Sequence, residues 1–307
     1  MEEYPRTVME FERWFISEEA CLEYLYKVRW SEGYRCPRCQ HDTAWLTRRK
    51  LYHCARCAYE ASVTAGTIFQ DTRKPLRLWF HAIWHVVSQK SGVSALGLQR
   101  VLGFRRYETM WIWLHKLRTA MVRPGRDRLS GIVEVDEAYI GGKRSGKRGR
   151  GAEGKSLVLI AVEDKGNQIG RIRLKRIPNA SSESLLSAVK QCVEAGSTVR
   201  TDGWSSYRQL PSEGYKHRVV RQSADLGENL LPLANRVSSL LKRWLQGTHQ
   251  GAVRPSHLDY YLDEYTFRFN RRTSRSRGKL FLRVIEQAVS VGPTSKQIIR
   301  SGGRKYA

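Results

Sequence analysis

The amino-acid sequence predicts a mixed α/β protein, on three observations. From about residue 130, runs that alternate apolar and polar residues are interleaved with stretches of helical period. Ahead of them, residues 66–125 are rich in Leu and Trp at helical spacing. Between these and a helical lead-in over residues 1–29, residues 30–65 hold four of the six cysteines in two close pairs. The predicted organisation is therefore a lead-in (1–29), a cysteine module (30–65), a helical module (66–125), a strand-and-helix domain (126–272) and a basic tail (273–307).

The lead-in places Phe15, Cys21, Leu22 and Leu25 on one side of a helix. The cysteines then fall as C-x2-C (Cys36, Cys39), 14 residues, and C-x2-C (Cys54, Cys57). Two close pairs joined by a hairpin-length spacer can set four thiolates tetrahedrally around Zn²⁺, so the spacing predicts a zinc ribbon. Such a ribbon can bind DNA, bind protein or stabilise a small module, and the spacing does not choose among these. Cys21 and Cys192 lie outside the pattern and read as buried thiols.

In the helical module, Leu76, Leu78, Phe80, Ile83 and Val86 fit a helix that begins near Pro75. A second helix is capped by Ser94 and ended by Gly103, and "YETMWIWLHKLRTAM" makes a third. Three short helices with tight joins suggest a helix-turn-helix module in which Arg105, Arg106, Lys116 and Arg118 meet DNA phosphates; the alternative is a helical linker that only packs its Leu and Trp.

The strand domain opens with "GIVEVDEAYIGG", which sets Glu134, Asp136 and Glu137 in an apolar run. Side chains alternate faces along a strand, so Glu134, Asp136 and Ala138 share one face while Val133, Val135 and Glu137 take the other. A half-buried aspartate is costly unless paired or bound to a cation. A basic glycine-rich loop with Lys143, Arg144, Lys147 and Arg148 leads to strands at 155–163 and 170–177. A helix capped near Ser181 runs to Gly196, and a short strand at Val199 and Thr201 delivers Asp202 at its C-terminal end, where Gly203 turns the chain. The order strand-strand-strand-helix-strand can bring Asp136 and Asp202 to neighbouring strands of one sheet. Two carboxylates sharing a site repel unless a divalent cation intervenes. Mg²⁺ or Mn²⁺ suits such hard oxygen donors, and a pair of ions can clamp the attacking and leaving oxygens of a phosphoryl transfer.

The chain's overall balance fits a nucleic-acid substrate. Its 307 residues carry 54 Lys+Arg against 29 Asp+Glu, a formal charge of +25, which points to a polyanion; the basic clusters sit in Gly- and Ser-rich stretches rather than on amphipathic helices, favouring nucleic acid over a membrane surface. No apolar run reaches membrane-helix length and no secretory signal is evident, so a reducing, cytoplasmic and nucleoid-associated setting is expected. From Tyr265 on there are 11 Lys+Arg and one acid, Glu286, which reads as a DNA-facing helix end followed by a solvated tail.

Five stretches together resemble a known family: "CPRC" with "CARC", "VEVDEAYIGG", "TDGWSSY", "LLKRWLQGTHQG" and "HLDYYLDEYTFRFNRR". The chain resembles the IS1595-type (ISXO2-like) insertion-sequence transposases from the ribbon to about Arg272. The resemblance implies a ribonuclease-H-like catalytic domain over residues 126–272 and DDE-type chemistry, in which a metal-activated water frees 3′-hydroxyl ends that attack target DNA without a covalent enzyme–DNA intermediate. It implies double-stranded DNA partners (terminal inverted repeats and target) and a homo-oligomeric synaptic complex. Carried onto this sequence, the first two acids are Asp136 and Asp202, the third acidic position falls on Asn235, and the lysine seven residues later is Lys242. Arg243, Arg268, Arg271 and Arg272 join the DNA-contacting set. Asn235 departs from the usual Glu: an amide oxygen can ligate Mg²⁺ but brings no charge. The family tolerates Asn here in some members; otherwise Glu228 or Glu264 is a candidate substitute. Glu134 and Glu137 read as supporting residues. Two other functions stay open: a catalytically weakened DNA-binding regulator, and a nuclease that cuts without joining.

Overall fold

The computed structural model describes residues 3–123, 125–141, 155–166, 168–220 and 230–303. The chain divides into two compact units, one made of residues 1–124 with 274–307 and the other of residues 125–273.

The first unit begins with α1 (Val8–Trp14) and α2 (Glu18–Arg29), whose N-caps Thr7 and Ser17 accept from backbone amides three residues on. Strands β1 (Ala44–Leu46), β2 (Tyr52–Cys54) and β3 (Glu60–Ala61) form the small antiparallel sheet of the cysteine module. Three helices follow: α3 (Leu76–Ser88), α4 (Ala95–Leu102) and α5 (Tyr107–Thr119). Ser94 caps α4, accepting from Gly97 N at 3.0 Å, and Gly103 ends it in the left-handed region at φ +66°, as the sequence predicted. The first turn of α3 has no cap of its own; the Glu18 carboxylate of α2 accepts from Leu76 N (2.7 Å) and Arg77 N (3.1 Å) instead. Trp79 of α3 stacks on Trp113 of α5 with ring centroids 3.7 Å apart.

In the second unit, β4 (Ile132–Ile140), β5 (Ser156–Asp164) and β6 (Ile169–Ile177) form an antiparallel meander. Helix α6 (Ser182–Cys192), capped by Ser181, crosses over to β7 (Thr198–Thr201), which pairs parallel to β4; β8 (Lys216–Val219) pairs parallel to β7. The sheet order is β6-β5-β4-β7-β8. Alternation sorts the core into two layers. Val133, Val135, Leu157, Leu159 and Val199 pack under α6 with Tyr207. Val158, Ile160, Val162 and Ile172 pack on the other side under α7 (Pro232–His249) and α8 (Leu258–Asn270). Strand β5, buried on both faces except at its end, reads as the unbroken apolar run "SLVLIAVE".

The chain then returns to the first unit as α9 (Arg277–Ser290) and α10 (Lys296–Ser301). The expectation of a solvated tail after residue 272 is thereby corrected. Leu280, Phe281, Leu282, Val284 and Ile285 of α9 are buried, and Phe281 lies against Phe11, Phe15, Phe80 and Trp84. Gly278 passes so close to the N-terminal segment that a Cβ would fall 1.6 Å from Pro5 O. On α10, Lys296 and Arg300 bridge Glu108 of α5. Among the described residues no helix is long and apolar enough to cross a membrane.

Phe281→Ala is expected to destabilise the first unit by about 3–5 kcal/mol, the usual cost of emptying a buried aromatic site. Removal of residues 274–307 is expected to abolish cooperative unfolding of that unit, read by near-ultraviolet circular dichroism and a thermal melt. A truncated chain that melts like the full-length protein would show that α9 is dispensable to this core.

Candidate metal and catalytic sites

The two C-x2-C pairs close on each other through matching loops. Gln40 (φ +63°) and Ala58 (φ +54°) each follow the second cysteine of a pair in the left-handed region and return an amide to the first, Gln40 N to Cys36 O at 2.9 Å and Ala58 N to Cys54 O at 3.1 Å. The four sulfurs lie within 4.8 Å of one another, with Cys36–Cys57 at 3.7 Å and Cys39–Cys54 at 3.6 Å. A tetrahedron of Zn–S bonds of about 2.3 Å has edges of about 3.8 Å, so the cluster fits Zn²⁺. Burial pushes the Cys36 thiol up, but the amides of Cys39 and Arg38 and the neighbouring thiols outweigh it and bring the group down to about 6. At Cys39 the His41 amide draws the thiol down, but burial and the other thiols outweigh it and push the group up to about 12, so Cys36 is the thiol that ionises first. Among the described residues this is the one cluster of three or more Cys, His, Asp or Glu groups close enough to hold an ion.

The carboxylates meet in the second unit. The parallel register of β4 and β7 runs Ile132↔Thr198, Val133↔Val199, Glu134↔Arg200. Carried two residues on, it sets Asp136 beside Asp202, the residue just past the end of β7. Parity puts Glu134, Asp136, Arg200 and Asp202 on the side of the sheet covered by α7. Asp136 is half-buried, and burial raises its carboxyl to about 6; the Glu137, Asp202 and Glu134 charges push the same way, against the Glu137 amide bonded to its Oδ1 at 2.8 Å. Asp202 is exposed, and its Oδ1 accepts from Trp204 N at 2.9 Å. The turn needs Gly203, at φ +85°, because a Cβ there would fall 2.5 Å from Val219 Cγ1 of β8.

Two glutamates flanking Asp136 fasten this arrangement. Glu134 is 3% exposed, and its Oε2 accepts from Leu233 N (2.9 Å) and Ala234 N (3.1 Å), the free amides at the start of α7. Burial pushes its carboxyl up while those amides draw it down. Its register partner Arg200 bridges Asp164 of β5 at 2.6 Å. Glu137, on the opposite face, accepts from the hydroxyl of Tyr207 at 2.8 Å, and Tyr207 is fully buried. "VDEAY" and "DGWSSY" are thus stitched together. Both glutamates were read only as supporting residues; strand parity pairs Glu134 with Asp136, but nothing local reveals partners about a hundred residues away.

Asn235 is exposed and directly follows the residues that Glu134 holds; Lys242, also exposed, lies two turns on along the same flank. The opposite flank is occupied, since Leu233, Leu240 and Trp244 pack with the α7–α8 core and Trp244 meets Tyr265 at 5.5 Å. Asn235 shares a groove along α7 with Phe269 and Arg272 at the C-terminal end of α8.

Several expected contacts are corrected. Glu264 is 1% exposed and bridged to Arg268 at 2.8 Å, so burial and this pairing remove it as a substitute for the third acid. Arg268 is engaged in that bridge. Arg118 is 1% exposed, so it packs inward rather than toward phosphates, and Lys116, on another side of α5, is half-buried and donates to Ile68 O at 3.3 Å. Arg271 lies over the Phe267 ring at 4.2 Å. Arg272 lies over Phe269 at 4.3 Å and donates to Phe269 O and Ile169 O. Arg105, Arg106 and Arg243 are exposed. Lys143, Arg144, Lys147, Arg148 and Glu228 lie outside the described residues.

Known proteins match this layout. Residues 128–270 match the ISXO2-like transposase domain, and residues 16–60, which span all four ligand cysteines, match the transposase zinc-ribbon domain of the same type. Both matched domains are those of IS1595-type transposases. The ribonuclease-H-like core and the zinc ribbon expected from the sequence are accordingly those of this family. An uncharacterized protein in transposable element ISH50 of Halobacterium salinarum is 27% identical over 294 residues, covering 88% of this chain and 96% of its own length. Among solved structures, a chain of the simian T-cell lymphotropic virus intasome in complex with PP2A regulatory subunit B56 gamma is 14% identical, covering 66% of this chain and 71% of that one, at a TM-score of 0.33 from which nothing about this chain follows.

Cys36→Ser is expected to lower bound zinc, measured by atomic absorption, and to unfold the ribbon; unchanged zinc content would remove the four-cysteine site. The raised Asp136 carboxyl gives a second expectation. Its folded-state value of about 6 lies above the ordinary 3.8, so metal-free protein loses stability as pH rises from about 4 to about 6. Asp136→Asn should therefore stabilise metal-free protein at pH 7–8 by about 1–3 kcal/mol and leave it near wild type at pH 4, on the scale of about 1.4 kcal/mol per tenfold change in proton affinity. Equal melting temperatures at both pH values would mean that Asp136 is not held against burial and like charge.

Proposed function

We propose that this transposase binds the ends of its element as double-stranded DNA and catalyses metal-dependent phosphodiester cleavage and strand transfer into a target. The observation that supports this best is the same-face, same-row placement of Asp136 and Asp202 beneath α7. Mg²⁺ or Mn²⁺ held by Asp136 and Asp202, with the amide oxygen of Asn235, would supply Lewis-acid activation of the attacking and leaving oxygens. The chain's own residues do the rest. Glu134 clamps α7 so that Asn235 and Lys242 stay over the acids, and Lys242 meets a phosphate near the scissile bond. Glu137 and Tyr207 hold the Asp202 turn against β4. Arg105 and Arg106, at the exposed join of α4 and α5, contact DNA. Two element ends must be brought together, so the working form is a homo-oligomer acting on the nucleoid.

Asn235 supports a second reading, a DNA-binding regulator of the element whose chemistry has been weakened. Incubation of purified protein with element-end duplexes, target plasmid and Mn²⁺ separates the readings. Asp136→Asn and Asp202→Asn should each lower strand transfer to about one-hundredth or less while leaving DNA binding intact, as expected for loss of several kcal/mol of metal-derived stabilisation. Binding without any metal-dependent product would favour the regulator, and cleavage without joined product a nuclease. Asn235→Glu is expected to retain or raise cleavage and to lower the Mg²⁺ concentration needed. A complete loss in a folded, DNA-binding variant would take Asn235 out of the metal site.

A further inference from the structure

Along α7 runs a groove of about 1220 Å³, walled by the turn between β5 and β6 and by the C-terminal end of α8. Arg236, Ser239 and Arg243 lie i, i+3, i+7 along its helical wall, all exposed; Gln168 and Arg272 stand on the other walls, and Asn235 sits at its edge. Three guanidinium groups therefore line one cleft, and no acidic residue lines it among the described residues. Like charges gathered in this way repel unless an anion lies between them. The helix N-terminus does not supply the attraction, because its amides at Leu233 and Ala234 are already taken by Glu134.

The geometry points to a binding track for the phosphodiester backbone of one DNA strand, held by Arg236, Arg243 and Arg272 and running past Asn235 toward Asp136 and Asp202. This assignment rests on the transposase reading above and specifies where in the catalytic unit the strand lies. The groove is larger than the roughly 300–1,000 Å³ of a small-molecule pocket, which favours a polymer. From Arg236 to Arg243 the helix rises about 10 Å, and a strand presents a phosphate about every 3.4 Å along the duplex axis, so the wall faces about three phosphates. Ser239 lies between the two arginines as a hydrogen-bond donor to phosphate oxygen. Arg272 is already oriented by its stacking on Phe269 and its bonds to Phe269 O and Ile169 O, so little side-chain freedom is lost when it meets an anion. Arg236 and Arg243 supply the mobile contacts.

The track is tested on the full-length, zinc-loaded protein. The double variant Arg236→Ala/Arg243→Ala should lower affinity for duplex DNA about tenfold or more near physiological salt, and flatten the dependence of log affinity on log salt by about two, since each phosphate contact contributes about 0.9. Both side chains are exposed, so melting temperature and zinc content should stay at wild type. Location is read separately. Ser239→Cys carrying a photoactivatable crosslinker should capture a labelled DNA strand, whereas Glu183→Cys on the exposed side of α6 should not. Capture should persist in an Asp136→Asn background. Wild-type affinity and salt slope in the double variant, or no capture at residue 239, would overturn the track. If wild type still joined ends with Mn²⁺, the transposase reading would survive that loss. Capture at residue 239 without any metal-dependent product would instead keep the track and overturn the catalytic reading.

Discussion

Where β7 runs parallel to β4, the register carries Asp202 up to Asp136 on the side of the sheet that α7 covers. Asp136 is half-buried there with the exposed Asp202 beside it, and burial first, then the Glu137, Asp202 and Glu134 charges, raise its carboxyl. An arrangement of this kind is stable as built only while something opposes the repulsion. In metal-free protein the opposition is partial: the Glu137 amide bonds to Asp136, and the Trp204 amide bonds to Asp202. A hard divalent cation would oppose it fully, which is why the same geometry that costs stability without metal suits metal-dependent phosphoryl chemistry in the proposed reading.

The surrounding fold keeps those acids from moving apart. Glu134 is spent on the start of α7, and its register partner Arg200 is held by Asp164, so β4 is tied to α7 and β7 to β5 next to the acids. On the opposite face Glu137 takes the Tyr207 hydroxyl, which anchors the turn after Asp202 in the α6 core. Each flanking glutamate thus secures one of the two segments that must converge on Asp136. Acids are concentrated in "VEVDEAY" because the half-buried Asp136 faces Asp202 while its neighbours Glu134 and Glu137 are used to hold the frame.

Much of this was legible in the sequence, for local reasons. Strands β4 to β6 announced themselves by alternation and by the apolar run of β5; α4 and α6 by their serine caps; the metal cluster by cysteine spacing. What stayed hidden depended on distant partners or on which face of an element a residue occupies. β8 is four residues, "KHRV", with no apolar face to mark it. The α9 segment was read by its total charge, although its apolar residues recur on one side and fill the aromatic core around Phe281. Arg118 falls one helical turn from Leu114, on the inward face, and Arg268 was counted as a phosphate ligand although Glu264 engages it. The pairing of Asp136 with Asp202 needed a parallel register as well as strand order, since a slip of one residue would have turned one of them to the α6 side.

Asn235 brings the charge balance of the site into focus. In the proposed reading a glutamate there would add a third negative charge to a site whose Asp136 carboxyl is already raised to about 6, and Glu134 cannot take its place, because its Oε2 is committed to two α7 amides. In that reading an amide at position 235 would leave the metal-free site with less repulsion, and the second unit would fold against a smaller electrostatic penalty. The same change removes charge from the ligand set, and ligand charge is a main determinant of cation affinity. A neutral third ligand therefore moves stability and metal affinity in opposite directions. In the proposed reading the arginine track next to it gains weight, because the phosphates of a bound strand would themselves bring the negative oxygens that complete the coordination of the ions. Metal and DNA would then bind cooperatively, each supplying charge that the other needs, and the enzyme would hold its ions tightly only when a strand lies along α7.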